Sequence, residues 1–279
     1  MNDKSTSLKA KIRNISKEKN IHAQTLLQNI MFERFLERLA SSKYNDNLIF
    51  KGGALIAAII GVDLRSTMDI DVTLKNLPLN EDSLNKLVGE ICSLDIQDNV
   101  LLKMGSIKPI RFDDPYGGYR VKITAFFEEI ETPFMIDIST GDVITPNPVK
   151  FMYRCILDDD KQIDLWAYNI ETILAEKIET TLRRSTLNTR IWDFYDIFII
   201  YTTQSYDREV LNDALTATAI HRGSSEQISN VSDILTLIEE STVLRQMWDK
   251  YRNDFSYAVK ITYEDIIRAL RNICNLRDT

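Results

Sequence analysis

Histidine and cysteine are scarce in this chain: His22 and His221 are the only histidines, and Cys92, Cys155 and Cys274 the only cysteines, among 279 residues. A zinc site and serine–histidine hydrolysis are therefore short of ligands and bases. The cysteines are far apart and odd in number, and Cys92 and Cys274 fall in helical patterns that bury them, so structural thiols are expected. No apolar run approaches the roughly 20 residues that span a bilayer. The opening MNDKSTSLKAKIRN also lacks the apolar core of a secretory signal, and the expectation is a cytoplasmic protein with no membrane partner. No Gly-Lys-Ser/Thr follows the Gly52-Gly53 pair at the spacing a P-loop requires, which disfavours that kind of ATPase.

What is present suits a folded, soluble globular chain, with 44% hydrophobic and 27% charged residues. A net charge of −7 argues against a protein that coats nucleic acid wholesale. Two local basic groups remain: Lys4, Lys9, Lys11, Arg13, Lys17 and Lys19 near the start, and Lys177, Arg183, Arg184 and Arg190 later. The first group reads equally well as a solvated helix face.

The pattern predicts an α+β fold. Residues 8–42 read as two helices, the second amphipathic through Leu26, Leu27, Ile30, Phe35, Leu36 and Leu39. Ile49-Phe50 ends a short apolar strand, and Glu81 to Cys92 reads as a helix capped by Asn80. Ile96–Met104, Tyr119–Phe127 and Phe134–Ile138 read as strands of a small mixed sheet. The turn signals between them are Asp113 to Gly118 and Glu131-Thr132-Pro133. From Asn169 onward six helical patterns follow: Ile170–Leu182, Ile191–Tyr201, Arg208–Ala219, Ser229–Glu239, Val243–Tyr251 and Tyr263–Leu276. The expected division is a domain over 1–168 with its N-terminal helices, and a helical domain over 169–279 that completes a cleft.

The segment that speaks to chemistry is KGGALIAAIIGVDLRSTMDIDVT, from Lys51 to Thr73. On the alternating strand, Asp69, Asp71 and Thr73 share one face, while Met68, Ile70, Val72 and Leu74 share the other. Adjacent carboxylates repel, and a hard oxygen-loving cation such as Mg²⁺ is the simplest reason to keep them together. Upstream, Gly52-Gly53 lets the backbone approach a ligand, and Ala54 to Ile60 forms a helix whose first amides can meet phosphates. Alone, a glycine pair is a turn and an Asp-x-Asp a solvated edge; together, with Arg65, Ser66 and Thr67 between, they predict a nucleotide and metal site. A third carboxylate is needed to complete such a centre. Asp137, set in the apolar run Phe134-Met-Ile-Asp-Ile-Ser, is the candidate, while Asp142 after Gly141 reads as a turn cap.

These residues carry a resemblance. Leu48-Ile-Phe-Lys-Gly-Gly-Ala followed by Arg65-Ser-Thr-Met-Asp-Ile-Asp is similar to the first motif of the polymerase-β-like nucleotidyltransferases. Its details resemble the AbiEii/AbiGii branch, nucleotidyltransferase toxins of type IV toxin–antitoxin and abortive-infection (phage-defence) systems. Ile21 to Ala40, Ala175-Glu-Lys-Ile-Glu and Arg190-Ile-Trp-Asp-Phe-Tyr-Asp-Ile resemble the branch's other motifs. The resemblance implies catalytic roles for Asp69, Asp71, Asp137, Lys177 and Asp193, metal binding by Asp69, Asp71 and Asp137, and nucleotide binding by Lys51, Gly52, Gly53, Arg65, Ser66 and Thr67. On spacing alone, Lys177 would pair with Glu176 or Glu179, and Asp193 with Arg190; Asp196 shares the helical face of Asp193. One departure is Ala54, where many polymerase-β-like enzymes have serine after the glycine pair.

The function expected is transfer of NMP from an NTP, with two Mg²⁺ ions, to an acceptor hydroxyl. The resemblance implies RNA, chiefly the tRNA 3′ end, with translation and growth blocked, and a separately encoded antitoxin that forms no stable complex. Two alternatives stay open: a nucleotidyltransferase acting on a small molecule or a protein, and a non-catalytic nucleotide-binding module.

Overall fold

A computed structural model describes residues 4–65, 67, 69–110 and 117–274. Ser66 and the turn residues Asp113 to Tyr116 thus lie outside the described residues. The chain is α+β and divides into two compact units. One comprises Met1–Asp142 and Val149–Ala167, the other Val143–Pro148 and Tyr168–Thr279.

The first unit is built on a seven-stranded mixed sheet. Its strands in chain order are β1 (Leu48–Lys51), β2 (Asp69–Leu74), β3 (Leu101–Ile110), β4 (Gly118–Phe127), β5 (Ile130–Thr140), β6 (Val149–Cys155) and β7 (Asp158–Ala167). Their spatial order is β3-β4-β5-β2-β1-β7-β6. Three expectations need correcting. β3 begins later and runs further than Ile96–Met104, Glu131-Thr132-Pro133 lies inside β5 rather than in a turn, and the β6–β7 hairpin was not anticipated. Pro133 is tolerated because, among the described residues, β2 joins β5 from Met135 onward, so its missing N–H faces no described β2 partner.

Four helices accompany the sheet: α1 (Lys4–Lys19), α2 (Ala23–Ser41), α3 (Gly52–Ile60) and α4 (Glu81–Ser93). Asn80 caps α4 by accepting from the Ser83 amide. α2 lies against the sheet face that carries Phe134, with Phe32 edge-on to that ring at 5.2 Å. Odd-numbered residues of β5, Asp137 among them, therefore point to the opposite face.

α2 is buried on more than its apolar stripe, since Glu33, Glu37 and Arg38 are enclosed as well. Arg38 forms a bidentate pair with Asp98 at 2.9 and 2.8 Å, and Glu37 meets Lys161 at 2.8 Å. Glu33 accepts from the Ile156 amide at 2.7 Å, while its other oxygen has no hydrogen-bond partner among the described residues. Burial pushes its pKa from 4.5 up to about 8, with the Ile156 bond and Arg34 opposing. A raised carboxyl pKa means the folded state binds the proton more tightly. The associated stability is complete at low pH and drains away as pH climbs from about 5 through 8, by up to about 1.4 kcal/mol per unit. Urea unfolding of Glu33→Gln across this range should show a flatter pH dependence than the wild type; parallel slopes would refute the assignment.

The second unit is helical: α5 (Ile170–Arg184), α6 (Ile191–Thr203), α7 (Arg208–His221), α8 (Val231–Glu240), α9 (Thr242–Asp254) and α10 (Tyr263–Cys274). Its core includes Phe194, Tyr195 and Trp248, whose indole N–H reaches the Ile261 carbonyl. Asn169, Asp207, Asn230 and Ser241 cap α5, α7, α8 and α9 through their side chains. All three cysteines are buried, and burial raises the Cys92 and Cys155 thiols to about 12, which keeps them protonated and inert. Among the described residues no helix is long and apolar enough to cross a membrane.

Candidate active site

The register of four neighbouring strands puts charged residues in one row. Lys51 on β1 is opposite Asp71 on β2, Asp71 is opposite Asp137 on β5, and Asp137 is opposite Arg120 on β4. Paired residues in a ladder share a face, and Asp69 lies two residues from Asp71 on that same face. The parallel β2–β5 pairing thus brings together three carboxylates that are separated by 66 or more residues in the sequence for Asp137 and Asp71.

Each end of the row is closed by a cation. Arg120 grips Asp137 with two bonds of 2.7 Å, and reaches to 3.8 Å from Asp69. Its own pKa is raised by that bond and by the surrounding aspartates. At the other end the Lys51 ammonium donates to Ser139 at 2.7 Å and to Asp142 at 2.6 Å. Asp142 also accepts from Thr73 and Ser139, and although burial opposes ionisation, Lys51 and the two hydroxyls hold its carboxyl well below the usual range. Asp142 is therefore the anchor of a buried network rather than a turn cap. Lys51, only 4% exposed, is committed to that network.

The α3 start is shaped around Asp71. Gly52 has φ of +70°, and a Cβ there would sit 2.1 Å from an Asp71 carboxylate oxygen, so only glycine allows this approach. A Cβ on Gly53 would lie 3.2 Å from the Thr67 hydroxyl and 3.3 Å from the Arg65 guanidinium. Thr67 and Arg65 thus gather beside the glycine pair, as the sequence spacing suggests. Asp69 has a raised pKa, chiefly from desolvation and in part from Asp137, with Arg120 opposing.

For a hard divalent cation the donor chemistry fits in part. Asp69 and Asp71 offer neighbouring carboxylates on one strand face. Asp137 has both oxygens bonded to Arg120, and among the described residues no group of three or more His, Cys, Asp or Glu could hold a metal ion.

In the helical unit, Lys177 of α5 meets Asp193 and Asp196 of α6, each at 2.7 Å. Arg190 takes the second oxygen of Asp193 at 2.7 Å. The alternative pairing of Lys177 with its helix neighbours does not occur, because Glu176 and Glu179 are engaged by Arg222, and Glu179 by Arg183 and Ser224 as well. Burial works against both charges of the Lys177–Asp193 pair, yet their mutual attraction wins: Lys177 is raised, and Asp193, with Arg190 also pulling, is lowered. An ammonium has three donors, and among the described residues two are used. Arg120 and Arg222 were missed by sequence reasoning.

Residues 34–270 match the family described as the AbiEii nucleotidyl transferase toxin of type IV toxin–antitoxin systems. The chain belongs to this family. As an AbiEii-family protein it is a nucleotidyltransferase, and its type IV system implies an antitoxin partner. Two solved structures are similar to it: a Helicobacter pylori protein provisionally described as a nucleotidyltransferase, and JHP933 from the same organism. They share 16% and 15% identity and TM-scores of 0.49 and 0.48, over 92% of this chain and 98% and 95% of theirs. No curated protein matches the chain.

Proposed function

We propose that this AbiEii-family protein is a toxin that transfers NMP from an NTP to a 3′ hydroxyl of RNA, tRNA in particular, so that translation and growth stop. The acceptor hydroxyl oxygen attacks the α-phosphorus and gives up its proton to solvent, the bond from that phosphorus to the bridging oxygen breaks, and pyrophosphate leaves with the negative charge. The observation that carries this reading is the Asp69–Asp71 pair, set on β2 with Asp71 folded tightly over Gly52 at the start of α3, in a chain of a nucleotidyltransferase family.

Asp69 and Asp71 would hold Mg²⁺, which when bound supplies charge neutralisation to the phosphates. The first amides of α3 and the Thr67 hydroxyl are suited to phosphate oxygens, and Arg65 adds positive charge beside them. Backbone amides thereby substitute for the hydroxyl that Ala54 lacks. Lys177, held in the helical unit by Asp193 and Asp196, is proposed to be required for transfer as well. The antitoxin, in this reading, acts without a stable complex with the toxin.

Incubation with each labelled NTP, Mg²⁺ and total cellular RNA should place label on RNA, with pyrophosphate released in equal amount. Label on a small molecule or on protein instead would move the acceptor to those classes, and no transfer from any NTP would reject the reading.

A further inference from the structure

We propose that Asp137 serves Arg120 rather than a metal ion, so that the site takes a single protein-bound divalent cation on Asp69 and Asp71 while Arg120 stands as a built-in second positive charge. This rests on the nucleotidyltransferase reading of the same site, and departs from the expectation that three carboxylates share two ions.

The geometry is that of a committed pair. Arg120 and Asp137 are direct cross-strand partners, the two guanidinium bonds are 2.7 Å each, and they use both carboxylate oxygens. Such a fork-to-fork pair is the strongest arrangement these groups form, and it fixes the guanidinium plane. The Asp137 side chain is 13% exposed, so little water competes for it. To become a metal ligand, Asp137 would have to break both bonds and leave a guanidinium among other charges. Mg²⁺ has no need of it, since one or two carboxylates together with substrate phosphates commonly suffice and the ion prefers to keep several waters.

The placement also gives Arg120 a task. It is 3.8 Å from Asp69, beside the proposed ion-binding pair, and its side chain is 44% exposed, so its outer edge is open to an anionic substrate. A fixed guanidinium there would meet the charge on the phosphates without being loaded from solution. Lys51 cannot do the same, because Asp142 and Ser139 hold it in the buried network.

The test is a Mn²⁺ titration of the full chain, read by electron paramagnetic resonance, without nucleotide and with a non-hydrolysable NTP analogue. Without nucleotide one Mn²⁺ per chain is expected, and Asp69→Asn or Asp71→Asn should weaken it by about tenfold or more. Asp137→Asn alone leaves an unmatched guanidinium, so the decisive variant is Arg120→Met/Asp137→Asn, which removes both charges together. It should bind Mn²⁺ within about threefold of wild type, whereas a metal-ligating Asp137 requires a loss of about tenfold or more. With the analogue at a concentration that saturates each protein, any further Mn²⁺ should titrate with the nucleotide; its loss from the nucleotide-saturated double variant overturns the proposal. Circular dichroism checks that each variant is folded. Because Mn²⁺ binding is read directly, failure here is distinct from a failure to transfer label to RNA.

Discussion

Lys177→Met is expected to destabilise the protein by about 3–5 kcal/mol, the cost of removing one member of a buried ionic cluster. The substitution keeps most of the side-chain volume but leaves Asp193, 1% exposed, and Asp196, 0% exposed, without the ammonium that bonds both at 2.7 Å. Arg190 still compensates Asp193. Adding Asp196→Asn, which removes one of the two facing carboxylate charges, should recover part of the loss. Urea unfolding of the single and double variants measures this directly; a Lys177→Met protein as stable as wild type would mean that the cluster is not formed in solution. Loss of growth arrest in a Lys177 variant reports catalysis only after the folded fraction has been measured.

The elements that were legible in the sequence are those with strong local signals. The Gly52-Gly53 pair marks the start of α3, alternation marks β2, and apolar periodicity with a capping residue marks α4 and the six helices of the second unit. The β6–β7 hairpin was not legible because Lys150, Arg154, Asp158, Lys161 and Asp164 crowd it with charge, a property of strands at a sheet edge, and β6 is such an edge. That omission hid a second fact. Glu33 and Glu37 look like the solvated face of α2 until the hairpin supplies the Ile156 amide and Lys161 that enclose them.

The candidate site divides in the same way. Asp69, Asp71 and the glycines stand close together in sequence, whereas the significance of Arg120 exists only through its register opposite Asp137 on the next strand. No local spacing encodes that pairing. Lys51 shows the converse, since its place before the glycine pair suggests a phosphate ligand, while the neighbouring strands and Asp142 capture its ammonium.

Asp71→Asn should lower label transfer by at least about 10³-fold, equivalent to roughly 4 kcal/mol of transition-state stabilisation, and leave the fold as stable as before or more so. The amide matches the carboxylate in size and can keep its position over Gly52, where the backbone admits no Cβ. What it removes is charge. On β2 and β5 Asp71 is flanked by Asp69 and Asp137, so neutralising it relieves repulsion among the three carboxylates. A residue kept for structure would behave in the opposite way, with stability falling and activity following it down. The two curves therefore separate the roles: transfer lost with the unfolding midpoint unchanged or raised assigns Asp71 to the reaction, and transfer within about tenfold of wild type removes it from the chemistry.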